Sequence, residues 1–211
     1  MTGVRPRLTS TLSFALAAYA LYWVVGIVDP HVYRLSFLLI VLVLTFLVYG
    51  AGTSRLLRGW DALWIALSVA SLAWPLSQID AFVNRAATPG PIDIVAGGIA
   101  IVVVLEATRR TTGWVLPVTA VLFLVYAFTG PLLDRLGLSL IAHRGYGLER
   151  VVGTLYMTLE GIFGVPLDVA TTYIVLFTIY GAVLEHSGAG RGEGIRGQRD
   201  RRTQNRNADG A

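Results

Sequence analysis

From residue 8 to residue 28 the chain carries no charged side chain, and between Arg34 and Arg55 the same happens over residues 35–54. A membrane-crossing helix needs about 20 mostly apolar residues, because the hydrocarbon core is about 30 Å thick and a helix rises about 1.5 Å per residue. Both stretches meet that length. Apolar residues make up 55% of the 211-residue chain and charged residues 14%, against about 25% charged in ordinary soluble domains. Lipid is therefore the expected solvent.

Four further stretches follow. Residues 62–79 are uncharged, with Trp64 and Trp74 near the ends, where indole rings favour the interface, and with Pro75 as a kink or stop. Residues 94–105 form a shorter run. Asp93 can sit at its helix start, favoured by the helix dipole, and Glu106 can snorkel at its end, which extends it to about 17 residues, the lower limit for spanning. Residues 111–133 carry Pro117, and residues 166–184 carry Asp168 in the first turn, where it is expected as a dipole partner. Arg5 and Arg7 before Ala18-Tyr19-Ala20 resemble a cleavable signal, but the apolar run continues to Val28, so an uncleaved first helix is expected.

Between the last two runs, Leu148, Val151, Val152, Leu155, Tyr156, Leu159, Ile162 and Phe163 follow the spacing of a one-sided helix. Its other face holds Glu149, Arg150, Gly153, Thr154, Thr158 and Glu160, so it should lie along the interface until Gly161, Gly164 and Pro166 break it. The expected fold is an all-α membrane protein with about six transmembrane helices plus one interfacial amphipathic helix. Basic residues favour cytoplasmic loops. Placing Arg5, Arg7, Arg55, Arg58, Arg109, Arg110 and the C-terminal arginines inside gives both termini a cytoplasmic location, with Arg34, Arg85, Arg135, Arg144 and Arg150 outside.

Chemistry-bearing clusters are few. Cysteine is absent and the three histidines, His31, His143 and His186, are scattered, so disulfides and a clustered metal site are not expected. No nucleophile elbow, phosphate loop or zinc-protease motif occurs, and no enzymatic activity is expected. Glu106, Arg109 and Arg110 share one helix face and read first as a structural ion pair, with a coupling-ion or proton site as the rarer alternative. Glu160 beside Gly161 reads as a helix-ending carboxylate or, less often, as the lining of an aqueous cavity. Gly97, Gly98 and Ala100 offer a close helix contact.

After Gly190 the composition changes. Six arginines and three carboxylates between Arg191 and Ala211 give that stretch +3 of the chain's net +4. No aromatic residue interleaves them, which argues against single-strand stacking, and nucleic acid is not an expected partner.

Two stretches, "VLEATRRTTGWVLPVTAVLFLVYAFTGPLL" and "AHRGYGLERVVGTLYMTLEGIFGVPLDVATTYIVLFTIYGAVLEHSGAG", resemble the fused permease of tripartite ATP-independent periplasmic (TRAP) transporters, of the TAXI-associated kind. The resemblance is specific from about Val104 to Gly190, whereas residues 1–103 match only in hydropathy and helix count. It implies a small-subunit-like four-helix region over residues 1–110, a linking transmembrane helix over 111–133, and the start of the large transport subunit over 134–190. It also implies a cytoplasmic (inner) membrane location, sodium-coupled uptake of a small organic solute, and delivery by a periplasmic binding protein. Sodium and substrate sites would belong to later parts of the large subunit, so no cofactor is expected in this chain. Family members continue past "SGAG" with apolar sequence. Residues 191–211 are instead read as a disordered Arg-rich tail, arising either from a frame change after Gly190 or as a genuine short terminus. On that reading the chain is a truncated permease component, inactive in transport alone; the alternative is a stand-alone multi-pass membrane scaffold or anchor.

Overall fold

The computed structural model describes residues 6–26, 28–52, 54–135 and 144–187, and every regular element among them is helical. The expectations for residues 188–211, including the tail, lie outside the described residues. Helix α1 spans Pro6–Val25, α2 Pro30–Val48, α3 Arg55–Leu76, α4 Ile79–Asn84, α5 Pro91–Thr112 and α6 Val115–Arg135. Helix α7, Leu148–Val152, passes into a π-helical turn, Gly153–Met157; α8, Val165–Val169, passes through a second π turn, Ala170–Ile174, into α9, Val175–Ser187. Helices α1, α2, α3, α5 and the continuous stretch Val165–Ser187 are long and apolar enough to cross a membrane, and α6 has an apolar run over Val115–Gly130.

The helix ends differ from the charge-free runs. Asp29 caps α2 by accepting from the His31 and Val32 amides, and Pro30 supplies a preset first-turn φ, so α2 begins at Pro30 rather than 35. It stops at Val48, short of 54. Ser54 caps α3 by accepting from the Leu57 amide, which moves its start from 62 to Arg55 and places Trp64 well inside the helix instead of at its edge. Helix α5 reaches 22 residues where about 17 were expected from the lower limit for spanning. It ends at Gly113, whose φ of 87° takes the chain out of the helix before α6 begins. Charges set poor limits because Arg34, Asp61, Asp93, Glu106 and Arg110 lie inside helices and are paired there.

Helices α2, α3 and α5 form the centre. Leu42, Phe46, Leu72, Ala100 and Val103 are buried between them, and the short helix α4, which hydropathy did not indicate, adds the buried Phe82. Helix α1 packs on α2 through Ala20, Tyr33 and Phe37, and α9 joins that cluster through Val175. Helix α6 leans on α5. The outer faces of α1, α6 and α9 are apolar and open, as lipid-facing surfaces must be.

The amphipathic segment is shorter as a helix than expected. It is helical only from Leu148 to Met157 and then turns irregularly through residues 158–164. It inserts Val152, Tyr156, Met157 and Phe163 into the core against α3 and α5. Leu148, assigned to the apolar face, is 55% exposed, whereas Gly153, assigned to the polar face, is buried. Gly153 is buried because the backbone carbonyl of Ala86, distant in the chain, approaches so closely that a Cβ on Gly153 would stand 2.6 Å from it. Only glycine admits that contact.

Candidate functional site

At the end of the bundle where α5 begins, Asp93 is 2% exposed yet fully engaged. Its carboxylate accepts from Trp74 Nε1 at 3.0 Å, from Arg85 Nε and Nη2 at 3.3 Å each, and from the Gly90 amide at 3.0 Å. The expected dipole role at the helix start holds, and three further donors explain why this carboxylate tolerates burial. Trp74 is thus half-buried and bonded to Asp93.

Beside this cluster runs a seam along which residues 148–187 dock onto the first four spanning helices. Pro75 has no amide hydrogen, so the Ser71 carbonyl four residues earlier loses its helical donor. The Tyr156 hydroxyl donates to that carbonyl. Burial, with the Asp93 carboxylate adding to it, pushes the Tyr156 hydroxyl well above its ordinary value, so it remains a donor. The Tyr156 ring lies edge-on to Phe82 at 5.3 Å between centroids. It also packs on Gly97, where a Cβ would stand 2.5 Å from Val152 Cγ1 and 2.9 Å from Tyr156 Cδ1. Gly98 has nothing within 4 Å of its Cβ position, so of the two neighbouring glycines Gly97 alone serves this contact.

Farther along the seam, Arg34 of α2 donates from Nη2 to Asp168 Oδ1 at 2.8 Å and from Nη1 to the Phe163 carbonyl at 2.8 Å. One guanidinium thereby holds both the irregular turn and the first turn of α8. Asp168 is more than a dipole partner. Tyr33 donates its hydroxyl to the Thr171 carbonyl at 3.0 Å, within the second π turn, where the widened helix changes the usual bonding pattern.

The opposite end carries a second ionic cluster. Glu106 accepts from Arg109 Nε at 2.6 Å and Nη2 at 2.7 Å, and from Arg110 Nε at 2.7 Å. The structural pairing expected from their spacing forms, but Glu106 does not snorkel: its side chain is 12% exposed. Arg110 also donates from Nη1 to Asp61 Oδ1 at 2.6 Å and to the Tyr49 carbonyl at 3.1 Å, and its guanidinium lies 5.0 Å from the Phe46 ring centroid. Asp61 in turn accepts from the Ala51 amide. One arginine on α5 therefore ties together α2, α3 and its own helix.

The remaining sequence candidates fall at the turn. Gly161 lies against the Leu155 backbone, where a Cβ would come within 2.4 Å of its carbonyl oxygen; Gly164 is buried, and its amide donates to the Gly161 carbonyl at 3.0 Å. Pro166 falls in the first turn of α8, at the start of the last apolar run, as its position after the break suggested. Glu160 is exposed and forms no ion pair among the described residues. Sequence reasoning missed Tyr33, Ser71, Asp61 and the seam role of Arg34. Pro75 held a usable signal, since an interior proline always leaves a carbonyl seeking a donor.

A helical bundle with apolar outer faces, ionic clusters at both ends and a C-terminal segment locked into its core is a multi-pass membrane protein built as one packed unit. Residues 99–192 match the family model of the DctM component of tripartite ATP-independent periplasmic transporters, which supports a TRAP permease-type protein. The match begins within α5 and includes the whole seam-forming segment, covering the stretch from Val104 to Gly190 that carried the resemblance. No curated protein and no solved structure matches the chain.

Proposed function

We propose that these residues form the scaffold that seats the first helix of the transport module in a sodium-coupled TRAP permease. In this reading residues 1–110 correspond to the small membrane subunit, 111–133 to the linking helix and 134–190 to the start of the large subunit, in the TAXI-associated arrangement. The complete permease takes up a small organic solute handed over by a periplasmic binding protein. It sits in the cytoplasmic membrane, with the Arg109–Arg110 end of α5 facing the cytoplasm.

The observation that carries this reading is the seam. Arg34, Tyr33, Gly97 and the Ser71 carbonyl all bind residues of the family-matched segment, so that segment is held at both ends of its irregular turn. Such fixation suits a static platform against which other transport elements move, because secondary transporters work by rocking one unit against another. Ion binding and translocation are assigned to the rest of the permease rather than to residues 6–187.

Co-expression with the large subunit of a TRAP permease, followed by affinity purification of this chain, tests the reading. Co-purification is expected, as is no uptake of radiolabelled sodium by proteoliposomes holding this chain alone. Sodium uptake by the isolated chain, or failure to capture the large subunit, would overturn it.

A further inference from the structure

Between α5, α6 and the α7 segment lies an open groove of about 690 Å³, within the range of natural ligand sites. Most of its lining is apolar, including Leu105, Phe123 and Ile162. Its polar lining includes Arg150, Thr154 and Glu160, all contributed by the segment that begins with α7. Arg150 lies over the Tyr146 ring at 5.4 Å, and neither Arg150 nor Glu160 forms an ion pair among the described residues. The groove therefore offers a cation, an anion and a mostly hydrocarbon lining.

We propose that a phospholipid with a primary-ammonium head group occupies this groove, its phosphate at Arg150, its ammonium at Glu160 and one acyl chain along α5 and α6. The two signs of charge decide the head group. Arg150 attracts the phosphate of any phospholipid. The Glu160 carboxylate favours an ammonium and gives a head group without one no matching partner. Burial of a chain against Leu105 and Phe123 restores the dispersion contacts that an empty groove between packed helices forfeits, and water there would lack polar partners. The site does not depend on the transport reading, only on the bilayer that surrounds α5 and α6.

The test is native mass spectrometry of the full chain in mild detergent, with equal amounts of phosphatidylethanolamine and phosphatidylglycerol of matched acyl chains. Wild-type protein should retain the ethanolamine lipid about tenfold better, the ratio expected from one charge-assisted hydrogen bond. Glu160→Gln should abolish that preference, and Arg150→Gln should lower retention of both lipids. Both side chains are exposed, so the variants should keep wild-type helicity by circular dichroism. Ala120→Trp, which fills the groove wall, should displace lipid with both charges intact. Equal or greater retention of phosphatidylglycerol by wild type would overturn the head-group assignment. Retention unchanged in both Arg150→Gln and Ala120→Trp would overturn the groove.

Discussion

The Tyr156 hydroxyl donates to the Ser71 carbonyl, the acceptor that Pro75 deprives of its helical donor. A residue of the family-matched segment thus completes a helix of the first bundle. Tyr156→Phe should destabilise the protein by about 1 kcal/mol, the usual net worth of a buried hydrogen bond. In a Pro75→Ala background the amide restored at position 75 would serve the Ser71 carbonyl, so the same substitution should cost less. Thermal unfolding of the four proteins of this cycle in detergent checks both statements; an equal loss in both backgrounds would disprove the link.

Arg34 pairs with Asp168 across the seam while its other nitrogen serves the Phe163 carbonyl. Arg34 is mostly buried but Asp168 is 39% exposed, so the pair is screened. Its coupling in a double-mutant cycle of Arg34→Gln and Asp168→Asn should be about 1 kcal/mol. Arg34→Gln should cost more than Asp168→Asn, because it also releases Phe163. Proteolysis near residues 158–164, monitored by mass spectrometry, should accelerate in the arginine variant.

Gly97 and Gly98 separate a packing role from helix propensity. Gly97→Ala should cost about 1–3 kcal/mol, since its methyl group would overlap Val152 and Tyr156. Gly98→Ala meets open space and should be neutral or stabilising by up to about 1 kcal/mol. Comparing unfolding midpoints in the same detergent decides the point; equal effects at the two sites would refute it.

Arg110 is 5% exposed and serves two carboxylates, one backbone carbonyl and a ring face. Arg110→Gln should destabilise by about 3 kcal/mol, because Asp61 and Glu106 lose their shared cation in a buried setting. Arg110→Lys should recover only part of this loss, since an ammonium cannot reproduce the fork that reaches Glu106 and Asp61 together. Midpoint shifts of the two variants, measured side by side, test the ordering.

Hydropathy located the spanning helices because the demand of lipid for about 20 apolar residues is a local one, readable from neighbours in the chain. The pairing of Glu106 with Arg109 and Arg110 was equally local, following from one helical turn. Helix limits were less legible. Asp61, Asp93 and Glu106 looked like borders of apolar runs, yet each is accommodated inside a helix by partners from other elements or turns. The placement of Glu160 at an exposed turn was near its expectation, but its position facing the same groove as Arg150 depends on how α6 and the α7 segment are arranged.

The amino-acid sequence alone determined an all-α membrane protein, the approximate position of its spans and the TRAP-type character of the stretch from Val104 to Gly190. Those properties depend on composition and spacing over short windows. Tertiary structure decided which surface the amphipathic segment packs against. Its burial rests on contacts between distant residues: Gly97 yields space to Val152 and Tyr156, Gly153 admits the Ala86 carbonyl, and Ser71 offers the acceptor vacated by Pro75. No periodicity within residues 148–163 records the shape of the surface that receives them.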